Sequence, residues 1–272
     1  MSSVTTISVD KLARLVGTPH CPAIVDVRNN EDFAADPRLI PGALRQPHAA
    51  TAEWAEECSG RPVIVVGQHG RKLSEGVAAW LRHEGLSAEV LAGGHVAWAQ
   101  AALPLVPTAK LPPRNGRGLT VWVTRARPKI DRIACPWLIR RFVDPGAVFL
   151  FVAPAEVRAV AEQFDAAPFD VEGVFWSHRG EACTFDTMVE ELGLATAPLL
   201  HLARIVRAAD TARLDLVPEA AGLLAASLGL SRMYADDLAQ LEAGMTLYDA
   251  FYRWCRDATD EKHNWPTSKP AT

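Results

Sequence analysis

Apolar and polar positions in residues 6–106 alternate between two kinds of pattern. The runs AIVDV (23–27) and PVIVV (62–66) are rich in β-branched residues, as is typical of strands buried on both faces of a parallel sheet. The segments SVDKLARLVG and SEGVAAWLRHEG have helical spacing of their apolar residues. Ser8 and Ser74 are the expected N-caps, and a glycine follows the C-terminal end of each predicted helix. Strand and helix in turn predict an α/β domain with a doubly wound parallel sheet.

A different pattern follows a segment rich in proline and glycine. The segment LPLVPTAKLPPRNGRG has four prolines and two glycines and no regular apolar period, so we expect a linker at residues 107–118. After it, TVWVTRA and AVFLFVA predict strands, and the chain from Pro198 onward is almost wholly helical in pattern. We therefore predict two domains, residues 1–106 and 119–272, the second an α+β domain with a helical C-terminal half.

Composition narrows the class of protein. The chain has 272 residues, 49% of them apolar, and a net charge of −4, which argues against a nucleic-acid-coating protein. Five cysteines without a Cys-x-x-Cys pair favour reduced thiols over a disulfide framework. Neither a signal peptide nor a membrane span is indicated, so we expect a cytoplasmic protein. The sequence leaves the oligomeric state open, including a homo-oligomer.

The first domain resembles the rhodanese-like family. The matching motifs are DVR (26–28), IPGA (40–43) and LAGGHVAW (91–98). The resemblance implies that the loop after PVIVV has the form Cys-x-x-Gly-x-Arg, in which the cysteine holds a persulfide. Here that loop reads GQHGRKLS (67–74), with glycine or glutamine at the nucleophile position. Because persulfide chemistry needs a low-pKa thiolate, we predict a non-catalytic domain.

The stretch DRIACPWLIRR in the second domain offers a candidate thiol. Pro136 suits the first turn of a helix, which would put Cys135 at or beside the N-cap. The helix dipole and free amides there would favour the thiolate, making Cys135 a candidate catalytic or metal-binding residue. The alternative is a small buried thiol that packs beneath Trp137.

The same region is strongly basic. Residues 110–141 have nine lysines and arginines against a single acid, Asp131. Such a cluster can attract an oxyanion or nucleic acid. We select Arg125, Arg132 and Arg140 as candidate oxyanion-binding residues; the alternative is a solvated basic surface.

Candidate metal ligands come later in the chain. The segment FWSHRGEACTFDTMVEELG places His178 and Cys183 close together, although their spacing matches no standard zinc motif. Asp210 falls at a predicted helix end, where the dipole disfavours a carboxylate unless a cation lies near. We predict a transition-metal site that uses His178, Asp210 and Cys183, with the metal's identity left open. In the alternative for Cys183, a helix begins there, with Thr184 as its cap and Asp186 in its first turn.

Residues 119 to about 266 resemble the C-terminal domain of chromate-resistance proteins of the ChrB type. The matching motifs are DRIACPWLIRRFVDP, FLFVAPAEV, PFDVEGV, RIVRAADT and YDAFYRWC. The resemblance implies a sensing or handling role in the chromate stress response. The leading hypothesis is a chromate-resistance-associated protein that binds a metal ion or small oxyanion. Two alternatives stay open: an oxidoreductase or sulfurtransferase that uses Cys135, and a transcriptional regulator, for which the acidic charge makes nucleic acid an unfavourable partner.

Overall fold

A computed structural model describes residues 5–261 of the chain. The strands in this range are β1 (Thr6–Ile7), β2 (Ala23–Asp26), β3 (Arg38–Leu39), β4 (Ala43–Arg45), β5 (Val63–Val66), β6 (Ala88–Leu91), β7 (Val106–Pro107), β8 (Val121–Arg125), β9 (Val148–Val152) and β10 (Ala167–Pro168).

Helices lie between and after these strands. They are α1 (Val9–Leu15), α2 (Asn30–Ala35), α3 (Thr51–Trp54), α4 (Leu73–His83), α5 (Gly94–Gln100), α6 (Asp131–Phe142), α7 (Val157–Phe164), α8 (Thr184–Glu191), α9 (Ala197–Asp210), α10 (Ala220–Met233) and α11 (Asp237–Asp257). Among residues 5–261, none of these helices combines the length and apolar character needed to cross a lipid bilayer.

The first domain is built on a five-stranded parallel sheet in the order β1-β6-β5-β2-β4. Successive side chains of a strand point to opposite faces, so each buried strand contributes to two apolar layers. Ile24 and Ile64 lie in the layer that includes α1 and α5, and Val25 and Val65 lie in the layer that includes α3 and α4. Helices on both faces confirm the predicted doubly wound sheet.

One of the two expected helix caps is correct in this domain. The Ser8 hydroxyl caps α1 by accepting from the Lys11 amide at 3.3 Å. The expectation for Ser74 is wrong, because the N-cap of α4 is Lys72, two residues earlier. Ser74 instead donates to the Arg71 carbonyl at 3.2 Å.

The second domain has a three-stranded parallel sheet in the order β10-β8-β9. The central strand, β8, is buried on both faces. Val123 packs in the layer that includes Val157 of α7, and Trp122 packs in the core that includes α6 and α8 to α11. Helices therefore make up the C-terminal half of the domain, as the apolar pattern predicts.

A single apolar core continues from the first domain into the second. The amide of Gly42 donates to the Phe142 carbonyl at 2.7 Å. A Cβ atom at Gly17 would lie 2.2 Å from the Phe142 ring, so only glycine permits this close approach. Part of the expected linker is also ordered, since β7 pairs antiparallel with β3.

Candidate metal centre

The carboxyl ends of two neighbouring strands define the site. Strands β8 and β10 are parallel and adjacent, so residues that follow their ends meet at one edge of the sheet. Arg125 is the last residue of β8, and Asp170 lies two residues after β10. Arg125 Nη2 lies 2.9 Å from Asp170 Oδ2, and Arg132 Nε lies 3.2 Å from the same oxygen.

Asp170 adopts a backbone conformation that non-glycine residues rarely adopt, with φ of +51°. Its amide donates to the Trp176 carbonyl at 2.9 Å, which closes a short loop. That loop leads directly into His178. The other Asp170 oxygen, Oδ1, accepts from the Thr184 hydroxyl at 3.1 Å, which ties the site to the start of α8.

Asp131 is the first residue of α6 and is 1% exposed. Its Oδ2 accepts from the Thr184 amide at 3.2 Å. The start of α8 therefore holds two carboxylates at once, through the backbone and the side chain of the same threonine.

One imidazole nitrogen faces three carboxylates. His178 Nε2 lies 3.4 Å from Asp131, 3.3 Å from Asp170 and 3.5 Å from Asp210, the last residue of α9. A single N–H group can donate well to only one of them. A cation in its place could interact with all three.

The proximity of these titratable side chains shifts their pKa values. The pKa of His178 is raised to about 9, chiefly by its hydrogen bond with Asp131 and further by the charges of Asp131, Asp170 and Asp210. The pKa of Asp210 is raised to about 7, because the carboxyl is buried and faces Asp131 and Asp170. Burial and Asp131 also raise the pKa of Asp170 and outweigh the two guanidinium groups beside it. The metal-free site therefore holds more protons at neutral pH than its residue types would suggest.

The donor atoms of Asp131, Asp170 and His178 all lie within 4.8 Å of one another. Ligands about 2.0–2.3 Å from a common ion are separated by distances of this order. Carboxylate oxygens and one imidazole nitrogen suit a divalent ion of hard or borderline character.

Each half of the chain matches the model of a known protein family. Residues 8–101 match the family model for the rhodanese-like domain, and residues 122–255 match the model for the C-terminal domain of ChrB. The chain pairs a rhodanese-like domain with a ChrB C-terminal domain. Protein ChrB of Cupriavidus metallidurans is 33% identical over 132 residues, or 48% of this chain. The match spans only 39% of that relative's length.

Two solved structures described as rhodanese-like or rhodanese-related each match little more than a third of this chain. A rhodanese-like domain protein from Staphylococcus aureus is 26% identical, with 35% of this chain and 90% of that chain covered and a TM-score of 0.31. A rhodanese-related protein from Thermoplasma volcanium is 19% identical, with 38% and 97% covered and a TM-score of 0.33. The fold of the domain rests on its own sheet order and on the family match.

The position of Cys135 in the ChrB C-terminal domain contradicts the prediction made for it. Helix α6 begins at Asp131 with Ile130 as N-cap, so Cys135 is the fifth residue of the helix and Pro136 lies inside it. The thiol is fully buried, and burial raises its pKa well above the ordinary value, with the nearby aspartates adding to the effect. The expected stabilisation of a thiolate by free helical amides is therefore wrong, and the buried alternative is correct.

Two further expected site residues lie elsewhere. Cys183 is the N-cap of α8, in a capping box in which Asp186 accepts from the Cys183 amide at 3.0 Å, and burial raises the pKa of its thiol. Arg140 is near the end of α6, where it pairs with Glu242 and lies over the Phe149 ring at 5.2 Å. Neither residue contributes to the cluster at the strand ends, so their predicted metal and oxyanion roles are not supported by their positions.

The remaining predicted residues converge. Arg125, Arg132, His178 and Asp210 come together although they are far apart in sequence. The ring of His201 on α9 packs against that of Trp254 at a centroid distance of 5.3 Å, and His263 lies outside the described residues.

Sequence reasoning missed Asp131 and Asp170, the two most buried carboxylates of the cluster. Asp131 stands out as the only acid in a basic segment, and that isolation was a usable signal. Asp170 follows a strand of only two residues, which is too short to show an apolar pattern.

The loop after β5 of the rhodanese-like domain is hydrogen-bonded to the start of α5. Gly67 and Gln68 follow β5, and their carbonyls accept from the amides of His95 and Val96 at 2.9 and 3.1 Å. A Cβ atom at Gly70 would lie 2.3 Å from the Leu91 carbonyl oxygen, so the loop requires glycine there. Neither Gly67 nor Gln68, the two candidates for the nucleophile position, carries a thiol.

Six of the nine basic residues in the segment 110–141 form ion pairs with five acidic residues. The ion pairs are Lys110–Glu191, Arg114–Asp144, Arg125–Asp170, Arg132–Asp170, Arg140–Glu242 and Arg141–Asp249.

Proposed function

We propose that the ChrB C-terminal domain binds a divalent metal cation through Asp131, Asp170 and His178, with Asp210 as an adjacent carboxylate. The observation that carries the proposal is the single imidazole nitrogen within 3.5 Å of three carboxylates. Two of these carboxylates are nearly excluded from water, and a divalent cation could replace the single proton of His178 as the positive partner that the three carboxylates share.

The chemistry of the donor set favours a particular class of ion. Thiolates would select soft metals, but Cys135 and Cys183 are buried thiols with raised pKa values. Oxygen ligands with one imidazole suit Mn²⁺, Fe²⁺ or Zn²⁺ better than a soft ion such as Cu⁺. When bound, the ion supplies a centre of positive charge to which a further ligand can coordinate.

The charges of the site suggest an order of binding. In the metal-free site, protonated His178 and two arginines balance three aspartates. A divalent cation that displaces the His178 proton adds one net positive charge. We therefore infer that a small oxyanion binds beside Arg125 only after the cation, because the carboxylates would otherwise repel it.

The biological role follows from the likeness to ChrB-type proteins, which implies an association with chromate resistance. We propose that the cation site is the part of this chain that senses or handles the stress, and that the rhodanese-like domain acts without sulfur transfer. The cation-dependent oxyanion position makes chromate a candidate ligand, and sulfate is a redox-inert probe of the same shape.

Titration of chelator-treated full-length protein with Mn²⁺ tests the proposal, with free Mn²⁺ measured by electron paramagnetic resonance. We expect one site per chain, which Asp170→Asn abolishes. Asp144→Asn is the matched control, because Asp144 is equally buried and accepts from the Thr120 amide at 2.6 Å, at the opposite end of β8. Wild-type protein without a site, or equal losses in both variants, would refute the cation site.

A further inference from the structure

The loop that joins two members of the cation site is conformationally strained. Residues 126–130 connect Arg125 to Asp131, and both Arg127 and Ile130 have positive φ angles, +57° and +44°. Positive φ is rare for any residue with a side chain, and it is a clear outlier for β-branched isoleucine. Such a conformation persists only where its surroundings enforce it.

Helix α11 supplies much of that enforcement. The Gln240 side chain donates to the Pro128 carbonyl at 2.6 Å, and the Tyr248 hydroxyl donates to the Ile130 carbonyl at 2.8 Å. The Asp237 carboxylate accepts from the Arg127 amide at 3.0 Å. Asp237, Gln240 and Tyr248 are spaced by three and eight residues, so they share one face of the helix.

The Arg127 side chain fastens the same junction from the other direction. Its guanidinium donates to the carbonyls of Ser231, Tyr234 and Ala235, where α10 turns into α11. This side chain is exposed to solvent and belongs neither to the core nor to the cation site. The Arg127 side chain therefore links the loop to the junction of α10 and α11.

Close packing keeps α11 in position relative to α6. A Cβ atom at Gly244 would lie 2.5 Å from the Ile133 side chain, so the two helices approach closely at this point. Gly244 lies between Gln240 and Tyr248 on the helix. The donors that hold the loop therefore lie on a helix that is packed closely against the helix that begins with Asp131.

We infer that the α11 face of Asp237, Gln240 and Tyr248, together with Arg127, is a positioning element that sets the cation affinity of the site. This inference rests on the proposed cation function. The strained loop places Asp131 and Arg132 against Asp170, and the donors of α11 hold that loop in place. None of these positioning residues belongs to the proposed donor set of Asp131, Asp170 and His178.

The pair Tyr248→Phe and Tyr252→Phe tests the inference. Both substitutions remove one hydroxyl from a buried tyrosine of α11, but only Tyr248 bonds to the loop; Tyr252 packs against Trp137 and Phe142. We expect Tyr248→Phe to weaken Mn²⁺ binding by about five-fold to ten-fold, as for a lost buried hydrogen bond, and Tyr252→Phe to leave it unchanged. The zero-field splitting of bound Mn²⁺ should change only in Tyr248→Phe, which a general loss of stability would not produce.

Arg127→Ala provides a second, exposed variant that should fold even if Tyr248→Phe does not. We expect it also to weaken Mn²⁺ binding, by about three-fold to ten-fold, with the circular dichroism spectrum unchanged. Wild-type protein that binds Mn²⁺, with Tyr248→Phe and Arg127→Ala equal to Tyr252→Phe, would overturn this inference alone. Wild-type protein that binds no Mn²⁺ would overturn the proposed function and this inference with it.

Discussion

Replacing Asp210 by asparagine should make the metal-free protein more stable at neutral pH. In the folded chain the Asp210 carboxyl is largely buried and faces Asp131 and Asp170, so its charged form is unfavourable. Asparagine has nearly the same shape without the charge. The same substitution should weaken Mn²⁺ binding, because it removes negative charge beside the ion.

The magnitude follows from the raised pKa. The pKa of Asp210 in the folded chain is about 7, against an ordinary value of 3.8. A pKa difference of this size corresponds to about 4 kcal/mol in the free energy of unfolding. This figure is an upper bound, because the side chain keeps 18% of its exposure and loses its contact with His178 in the variant. We expect a gain of about 2 kcal/mol in the free energy of unfolding at about pH 7.5.

The pH dependence has a definite sign. Between the unfolded and folded pKa values the folded state binds more protons, so the stability of the wild type falls as pH rises from about 4 to about 7. The advantage of Asp210→Asn should therefore shrink to less than about 1 kcal/mol at about pH 5.

Urea unfolding of chelator-treated protein at both pH values measures these differences. Asp215→Asn is the control, since that carboxylate is exposed on the surface and should change stability little. An Asp210→Asn variant that is less stable than wild type at about pH 7.5, or whose gain does not diminish on acidification, would refute the argument from buried like charges.

Three other predictions concern protons, the buried thiol and the first domain. Because the pKa of His178 is raised to about 9, Mn²⁺ binding at about pH 7.5 should release about one proton, counted by calorimetry in buffers of different ionisation enthalpy; His178→Gln should lose that release. Cys135→Ala should lower the free energy of unfolding by about 1–3 kcal/mol, measured by chemical unfolding, and keep Mn²⁺ affinity within about two-fold. A larger loss of Mn²⁺ affinity would show that the thiol contributes to the site. Wild-type protein should lack thiosulfate sulfurtransferase activity, and a thiol restored at the nucleophile position, as Gly67→Cys or Gln68→Cys, should confer it; activity in wild type would place a working thiol elsewhere.

Much of the fold could be predicted from the apolar pattern. Strands such as β5 and β8 are buried on both faces, and their continuous apolar runs identify them. The helix containing Cys135 was also predicted, but its first residue was not. Pro136 indicated a later start, whereas the contacts of α11 with the preceding loop fix the start at Asp131.

The candidate site was only partly predictable for a related reason. His178 and Asp210 carry recognisable chemistry, but their meeting depends on how α9 packs against the loop after β10. Asp170 owes its position to a positive φ angle and to the Trp176 carbonyl, neither of which a linear pattern encodes. Arg140, which lies away from the cluster, belongs to the same basic segment as Arg132 and differs from it only in its position along α6.

A crystal structure of the full-length protein soaked with Mn²⁺, with anomalous diffraction, tests the cation site most directly. The account predicts one anomalous peak within about 2.5 Å of oxygen atoms of Asp131 and Asp170 and of His178 Nε2. A peak at the Cys135 sulfur, a peak at another place, or no peak at saturating Mn²⁺ would contradict it.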